Sequence, residues 1–168
     1  MAVNDDTAKL WNLQGRLIAT LKHNHWVLNV VFSPDSKTVT TASWDGTAKL
    51  WNLQGQEIAT FKHNDRITNL AFSPDGKTIA TGTYFADRTV RLWTEVTDGS
   101  WQQFAEYQGW SFVFSPDSKL IAIAVDSNSV QMRRVQSLDR LLTRGCDHLK
   151  EYLASRPDLR KEICPDNK

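Results

Sequence analysis

The chain has 168 residues, of which 40% are hydrophobic and 23% charged, enough apolar content for one globular core. Its formal net charge of +1 provides no global field to draw it to nucleic acid or to an anionic membrane. No apolar run reaches the roughly 18 residues of a membrane helix, and residues 1–20 lack the basic start and apolar stretch of a signal peptide. Cys146 and Cys164 both lie near the C-terminus, so no disulfide framework supports the rest of the chain. Whether the two are linked stays open, and a reducing, cytoplasmic setting is expected.

In chain order, Thr7–Trp11 and Leu17–Leu21 read as two short strands. A full set of four follows over residues 22–61. Val27–Phe32 (strand a) leads into a Ser33-Pro34-Asp35-Ser36 turn with Pro at its favoured position. Val39–Ser43 (b) and Thr47–Trp51 (c) flank Asp45-Gly46, a tight hairpin signal. Glu57–Phe61 (d) closes the set. Residues 62–107 repeat the plan with Ile67–Phe72, Thr78–Thr83, Thr89–Thr94 and Trp101–Tyr107, after an insertion of two residues before Asp87. Residues 108–136 carry a degraded third copy: Trp110–Phe114, Leu120–Val125 and Val130–Val135. Strands this short with regular turns predict antiparallel meanders. Over 137–168, Leu138, Leu141, Leu142, Cys146, Leu149 and Leu153 recur at helical spacing and predict a short α-helical extension.

The period is the strongest signal. Thr7-Ala8-Lys9-Leu10-Trp11 recurs as Thr47-Ala48-Lys49-Leu50-Trp51 and as Thr89-Val90-Arg91-Leu92-Trp93, and Phe-Ser-Pro-Asp recurs at Phe32, Phe72 and Phe114. With a His before strand a and an Asp in the b–c hairpin, residues 2–135 resemble WD-repeat β-propeller proteins. The resemblance implies an all-β propeller segment of about three four-stranded blades over residues 1–136. Asn12, Asn52 and Thr94 stand where the usual Trp-Asp pair has Asp, and Lys22 and Lys62 stand where Gly usually precedes His. The family's structural tetrad falls on His23, Thr41, Asp45 and Trp51, and again on His63, Thr81, Asp87 and Trp93. The partial first copy keeps only Asp5 and Trp11. The third has Ile123, Ser127 and Arg133 in these places, so no tetrad is expected there. The stretch Arg144–Leu153 also resembles the segment after the last blade in many bacterial, especially cyanobacterial, WD-repeat proteins.

Two sets of His, Asp and Thr superficially suggest a nucleophile relay, but duplication at the repeat period favours the structural role. His23 and His25 could hold a metal, yet no third ligand is near. Cys146 has no neighbour that clearly depresses its pKa, and Arg133-Arg134 is too short a basic run for nucleic acid. No phosphate loop or dinucleotide fingerprint is present. The expectation is therefore no catalysis, no cofactor and no metal.

In a four-stranded meander the d–a loop, the start of a and the b–c turn share one end. That end carries Trp26 and Trp44 in one copy and Arg66, Tyr84 and Phe85 in the next. Scaffold positions repeat while these diverge, which marks a candidate partner-binding face. Both indoles are expected to be largely accessible. The implied function is a protein–protein interaction scaffold with a protein partner of unknown identity. Rivals are the regulatory or sensor module of a larger enzyme or signalling NTPase, and a decayed fragment. Propellers close with 4–8 blades, so a piece of a longer propeller, or self-association of chains to complete the ring, is a further expectation.

Overall fold

The computed structural model describes residues 6–135. The helix expected over 137–168, Cys146, Cys164 and Asp5 lie outside the described residues. By internal contacts the chain divides into two units, Met1–Arg134 and Val135–Lys168.

The first unit is a row of antiparallel sheets. A two-stranded sheet pairs β1 (Thr7–Trp11) with β2 (Leu17–Lys22). Two four-stranded meanders follow: β3 (Val27–Phe32), β4 (Thr38–Ser43), β5 (Thr47–Asn52), β6 (Glu57–Lys62), and β7 (Ile67–Phe72), β8 (Thr78–Thr83), β9 (Thr89–Glu95), β10 (Trp101–Gln108). A three-stranded sheet orders β11 (Ser111–Phe114), β12 (Leu120–Ala124) and β13 (Val130–Arg134). The register repeats with the sequence: Val39 lies opposite Trp51, Ile79 opposite Trp93 and Ile121 opposite Arg133.

Each turn has a local cause. In the Ser-Pro-Asp turns the Ser33 hydroxyl donates to Asp35 (2.7 Å) and accepts from the Thr38 amide (3.0 Å), and Ser73 and Ser115 repeat the arrangement. The fourth turn residue is left-handed, Ser36 and Ser118 at φ 59° and Gly76 at φ 72°. Ser118 is buried, and its hydroxyl oxygen accepts the Asp75 amide of the preceding sheet at 3.0 Å. Asn12 and Asn52, which replace Asp after Trp, each accept two backbone amides across the c–d turn, as Asx residues do.

The core lies between sheets rather than within them. Ala8, Leu10 and Leu21 of the first sheet pack on Val27, Val39 and Trp51 of the second. Ala42, Ala48, Leu50 and Phe61 of the second pack with Ile67, Leu70 and Ile79 of the third. Phe61 also meets Trp93 and Trp101, at ring separations of 5.0 and 5.8 Å. This is one interface reused, so a change on one side must be matched on the other. Leu70 meets a core containing Ala42; at the next interface Phe112 stands where Leu70 stood, and Gly82 stands for Ala42. A Cβ on Gly82 would lie 2.8 Å from the Phe112 ring.

That pair can be tested directly. Gly82→Ala alone is expected to destabilise by about 1–3 kcal/mol through overpacking. Phe112→Leu in the same chain should restore most of the loss by recreating the Ala42–Leu70 arrangement. Urea midpoints of the four chains measure the coupling; additive effects would show that the two residues do not share an interface.

Candidate functional site

Two buried polar relays run from strand c to the d–a loop. In the first, the Trp51 indole N–H donates to the Thr41 hydroxyl oxygen at 2.8 Å, and Thr41 meets His23 Nε2 at 2.6 Å. His23 Nδ1 lies 3.2 Å from Asp45 Oδ2. Indole can only donate, so Thr41 accepts from it. The Asp45 carboxylate can only accept, so His23 carries its proton on Nδ1 and donates to Asp45, which leaves Nε2 to accept from the Thr41 hydroxyl. Asp45 also accepts the Asn24 and Thr47 amides, at 2.9 and 2.8 Å. Burial alone would raise the Asp45 carboxyl, but these bonds, the Thr47 hydroxyl and His23 hold it below its ordinary value.

The second relay differs at its outer end. Trp93 donates to Thr81 at 2.8 Å, and Thr81 meets His63 Nε2 at 2.7 Å. Asp87, however, sits 3.7 Å from His63 Nδ1, too far for a hydrogen bond. The Thr89 hydroxyl bridges the gap. It accepts from Nδ1 at 3.3 Å and donates to Asp87 at 2.8 Å. Residues Phe85 and Ala86 lengthen this b–c turn, and Arg91 lies 3.9 Å from Asp87. Thr47 holds the same place in the first relay, 3.2 Å from His23 Nδ1, but there His23 also reaches Asp45 itself. Thr47 and Thr89 are therefore members of the site that the residue pattern alone did not single out. Their signal was present, since Thr opens every copy of the Thr-X-Lys/Arg-Leu-Trp segment.

Burial depresses both histidines. It is the largest cause for His23, opposed by Asp45. For His63 burial comes first and the Arg91 guanidinium second, opposed by Asp87, and the result is about 4. The unfolded chain, with an ordinary value of 6.5, thus takes up these protons first. The stability contributed by neutral His63 is fully present above pH 6.5 and is lost as pH falls through 6.5 towards about 4.

Trp11 is 58% exposed where Trp51 is 5% exposed, because among the described residues β1 pairs only with β2 and no strand b supplies the hydroxyl. At the third copy, Ile121 and Ile123 are buried and Arg133 lies over the Tyr107 ring, 5.8 Å from its centroid.

Above the relays lies a belt of rings. Trp26 packs on Trp44 at 4.7 Å, and His25 meets both, at 5.3 and 5.1 Å. The Arg66 guanidinium lies over Trp44 at 4.3 Å and over Phe85 at 4.7 Å. Phe85 meets Tyr84 at 5.4 Å, Tyr84 meets Trp110 at 6.2 Å, and Arg88 lies over Trp110 at 5.8 Å. The five residues expected on this face, Trp26, Trp44, Arg66, Tyr84 and Phe85, are thus brought together, and His25, Arg88 and Trp110 join them. The expectation for the indoles needs correction. Trp26 is exposed at 38%, but Trp44 is half-buried beneath Trp26, His25 and Arg66. Its indole N–H is buried without a hydrogen-bond partner. The cause is the b–c hairpin, which holds the Trp44 amide 2.9 Å from the Trp26 carbonyl and so draws one ring under the other.

Asp65 shapes the second half of the belt. Its carboxylate accepts the Arg66 amide at 2.8 Å and the Ala86 amide at 2.7 Å, fixing the inserted turn that carries Tyr84 and Phe85. His25, at the matching place in the first copy, accepts the Trp26 amide on Nδ1 at 2.8 Å. Among the described residues no group of three or more His, Cys, Asp or Glu is arranged to hold a metal ion.

The different outer ends make a prediction. Thr89→Val should strand His63 Nδ1–H and cost about 1–3 kcal/mol. Thr47→Val should cost less, because His23 keeps Asp45. Urea denaturation of both variants measures the difference; equal losses would remove the bridging role of Thr89.

No curated protein matches the chain. Residues 15–52 and 55–94 match the family model described as WD domain, G-beta repeat. The matched spans run through both relays, from the c–d turn of one sheet to strand c of the next. Over these residues the chain is built of WD repeats.

Proposed function

We propose that the chain is a non-catalytic recognition module that binds a protein partner through the ring belt. WD repeats in general mediate protein–protein interaction and are typically not catalytic. The observation that carries the reading here is the contrast between floor and tip. Below, the two copies keep the same Trp, Thr, His and Asp, with Thr41, Thr81, His23, His63 and Trp51 buried and Trp93, Asp45 and Asp87 partly so. Above, Trp26, Tyr84 and Phe85 are exposed at 38, 51 and 50%, in one connected cluster with no scaffold duty in common. Trp, Tyr and Arg are the side chains that dominate interface energetics when a partner desolvates them.

The relays support the non-catalytic half of the proposal. The hydroxyl-bearing Thr41 and Thr81 are 0% exposed, and each hydroxyl is held between an indole and an imidazole. A nucleophile must meet its substrate, and neither oxygen is open to one. We read His23, Thr41, Asp45, Trp51 and His63, Thr81, Asp87, Trp93 as structural tetrads.

The test compares baits in lysate of the cells that make the protein. Trp26→Ala combined with Tyr84→Ala should abolish retention of polypeptides that the unaltered chain holds. Its melting temperature should fall only slightly, since single exposed positions off the core change stability by about 0.5 kcal/mol or less. Retention of the same polypeptides by the folded double variant would place binding elsewhere.

A further inference from the structure

Within the belt, Arg66 differs from Arg91 and Arg133 in how its donors are used, and from Arg88, which lies over the single ring of Trp110, in lying over two rings. Arg91 donates from Nε to Glu106 at 2.8 Å and from Nη1 to the Lys62 carbonyl at 2.6 Å. Arg133 donates from Nη2 to Gln131 at 2.6 Å. The Arg66 guanidinium is half-buried and lies over two rings, Trp44 and Phe85. Yet among the described residues its side chain makes no hydrogen bond and no ion pair. The adjoining Asp65 carboxylate feels its charge but accepts three backbone amides, those of Arg66, Ala86 and Asp87.

With its central carbon 4.3 Å from the Trp44 ring centroid and 4.7 Å from that of Phe85, the guanidinium is confined by two rings. The N–H donors lie in the guanidinium plane and stay available as a fork. A planar fork held in place is the geometry that binds a carboxylate through two parallel hydrogen bonds. Partial burial strengthens such a bond relative to one in bulk water. The exposed faces of Tyr84 and Phe85 on one side and Trp26 on the other supply apolar contact beside it. The nearby carboxylates decide the charge of the guest. Asp65, Asp45 and Asp87 all belong to the loops of this face, so a dianion such as a phosphate meets more repulsion than a single carboxylate does.

Resting on the recognition reading above, we propose that Arg66 is a carboxylate fork, and that the belt takes a linear partner segment with an Asp or Glu side chain on Arg66 and an apolar neighbour against Tyr84, Phe85 or Trp26.

The experiment is selection of a random dodecapeptide display library on the immobilised full-length chain, run beside Arg66→Lys and beside Trp26→Ala/Tyr84→Ala. Far-ultraviolet circular dichroism first establishes that each bait is folded. Arg66→Lys keeps the positive charge and loses the planar fork. The unaltered chain should enrich peptides carrying Asp or Glu next to an aromatic or aliphatic residue. Arg66→Lys should lose the acidic preference while still enriching apolar peptides. A Glu→Gln copy of the best peptide should bind the unaltered chain about tenfold or more weakly, the loss of a charge-assisted pair. Enrichment without an acidic excess, or an acidic excess that persists in Arg66→Lys, would overturn the fork. Enrichment equal on the unaltered chain and on Trp26→Ala/Tyr84→Ala would instead overturn the face itself.

Discussion

The ring belt rests on one buried oxygen per blade, the hydroxyl of Thr41 or Thr81. That hydroxyl accepts an indole N–H, which can only donate, and donates to an imidazole whose other nitrogen faces an acceptor, Asp45 in one blade and the Thr89 hydroxyl in the other. Those acceptors set the tautomer of His23 and His63, and burial favours the neutral form of both. The relay also fixes the loops. Three residues beyond each His come Trp26 and Arg66, and one residue before Asp45 comes Trp44. Asp87 likewise closes the turn that carries Tyr84 and Phe85. The relay thus holds both loops of each blade from below, and the ring belt is built on those loops.

The two blades show how far the tip can change while the floor stays the same. In the first blade a three-residue turn, Trp44 to Gly46, lets Asp45 reach His23 itself, at 3.2 Å. In the second blade two extra residues move Asp87 back to 3.7 Å, and a hydroxyl already present in the repeat, Thr89, takes up the slack. Asp65 then does for the longer turn what no residue of the repeat pattern does, holding the Ala86 amide at 2.7 Å. Packing between blades follows the same logic of matched change. Gly82 gives up its Cβ where Phe112 brings a ring.

Much of this was legible in the residues. The strand plan follows from the period, since every copy has the same turn chemistry and the same apolar alternation. The tetrad positions follow too, because Trp, Thr, His and Asp recur at constant offsets. The belt was legible only as a set of positions. Periodicity places Trp26 and Trp44 at one end of a blade, but not one ring above the other. Stacking depends on the hairpin bringing Trp44 under Trp26, which no single-residue pattern encodes. Thr89 escaped because it becomes the sole link between His63 and Asp87 only after the turn is lengthened. Trp11 shows the reverse case: its segment matches Trp51 residue for residue, yet it is exposed, because burial is conferred by the strand alongside and the sheet packed against it and not by the segment itself.

The most direct measurement of the account is the titration of the imidazole nitrogens by nitrogen-15 nuclear magnetic resonance on the folded chain. A relay that runs from indole through hydroxyl to Nε2 requires neutral His63 with its proton on Nδ1 across the neutral and mildly acidic range. The account predicts that tautomer, and protonation only near pH 4. Titration of His63 at its ordinary value of about 6.5, or a proton found on Nε2, would contradict it.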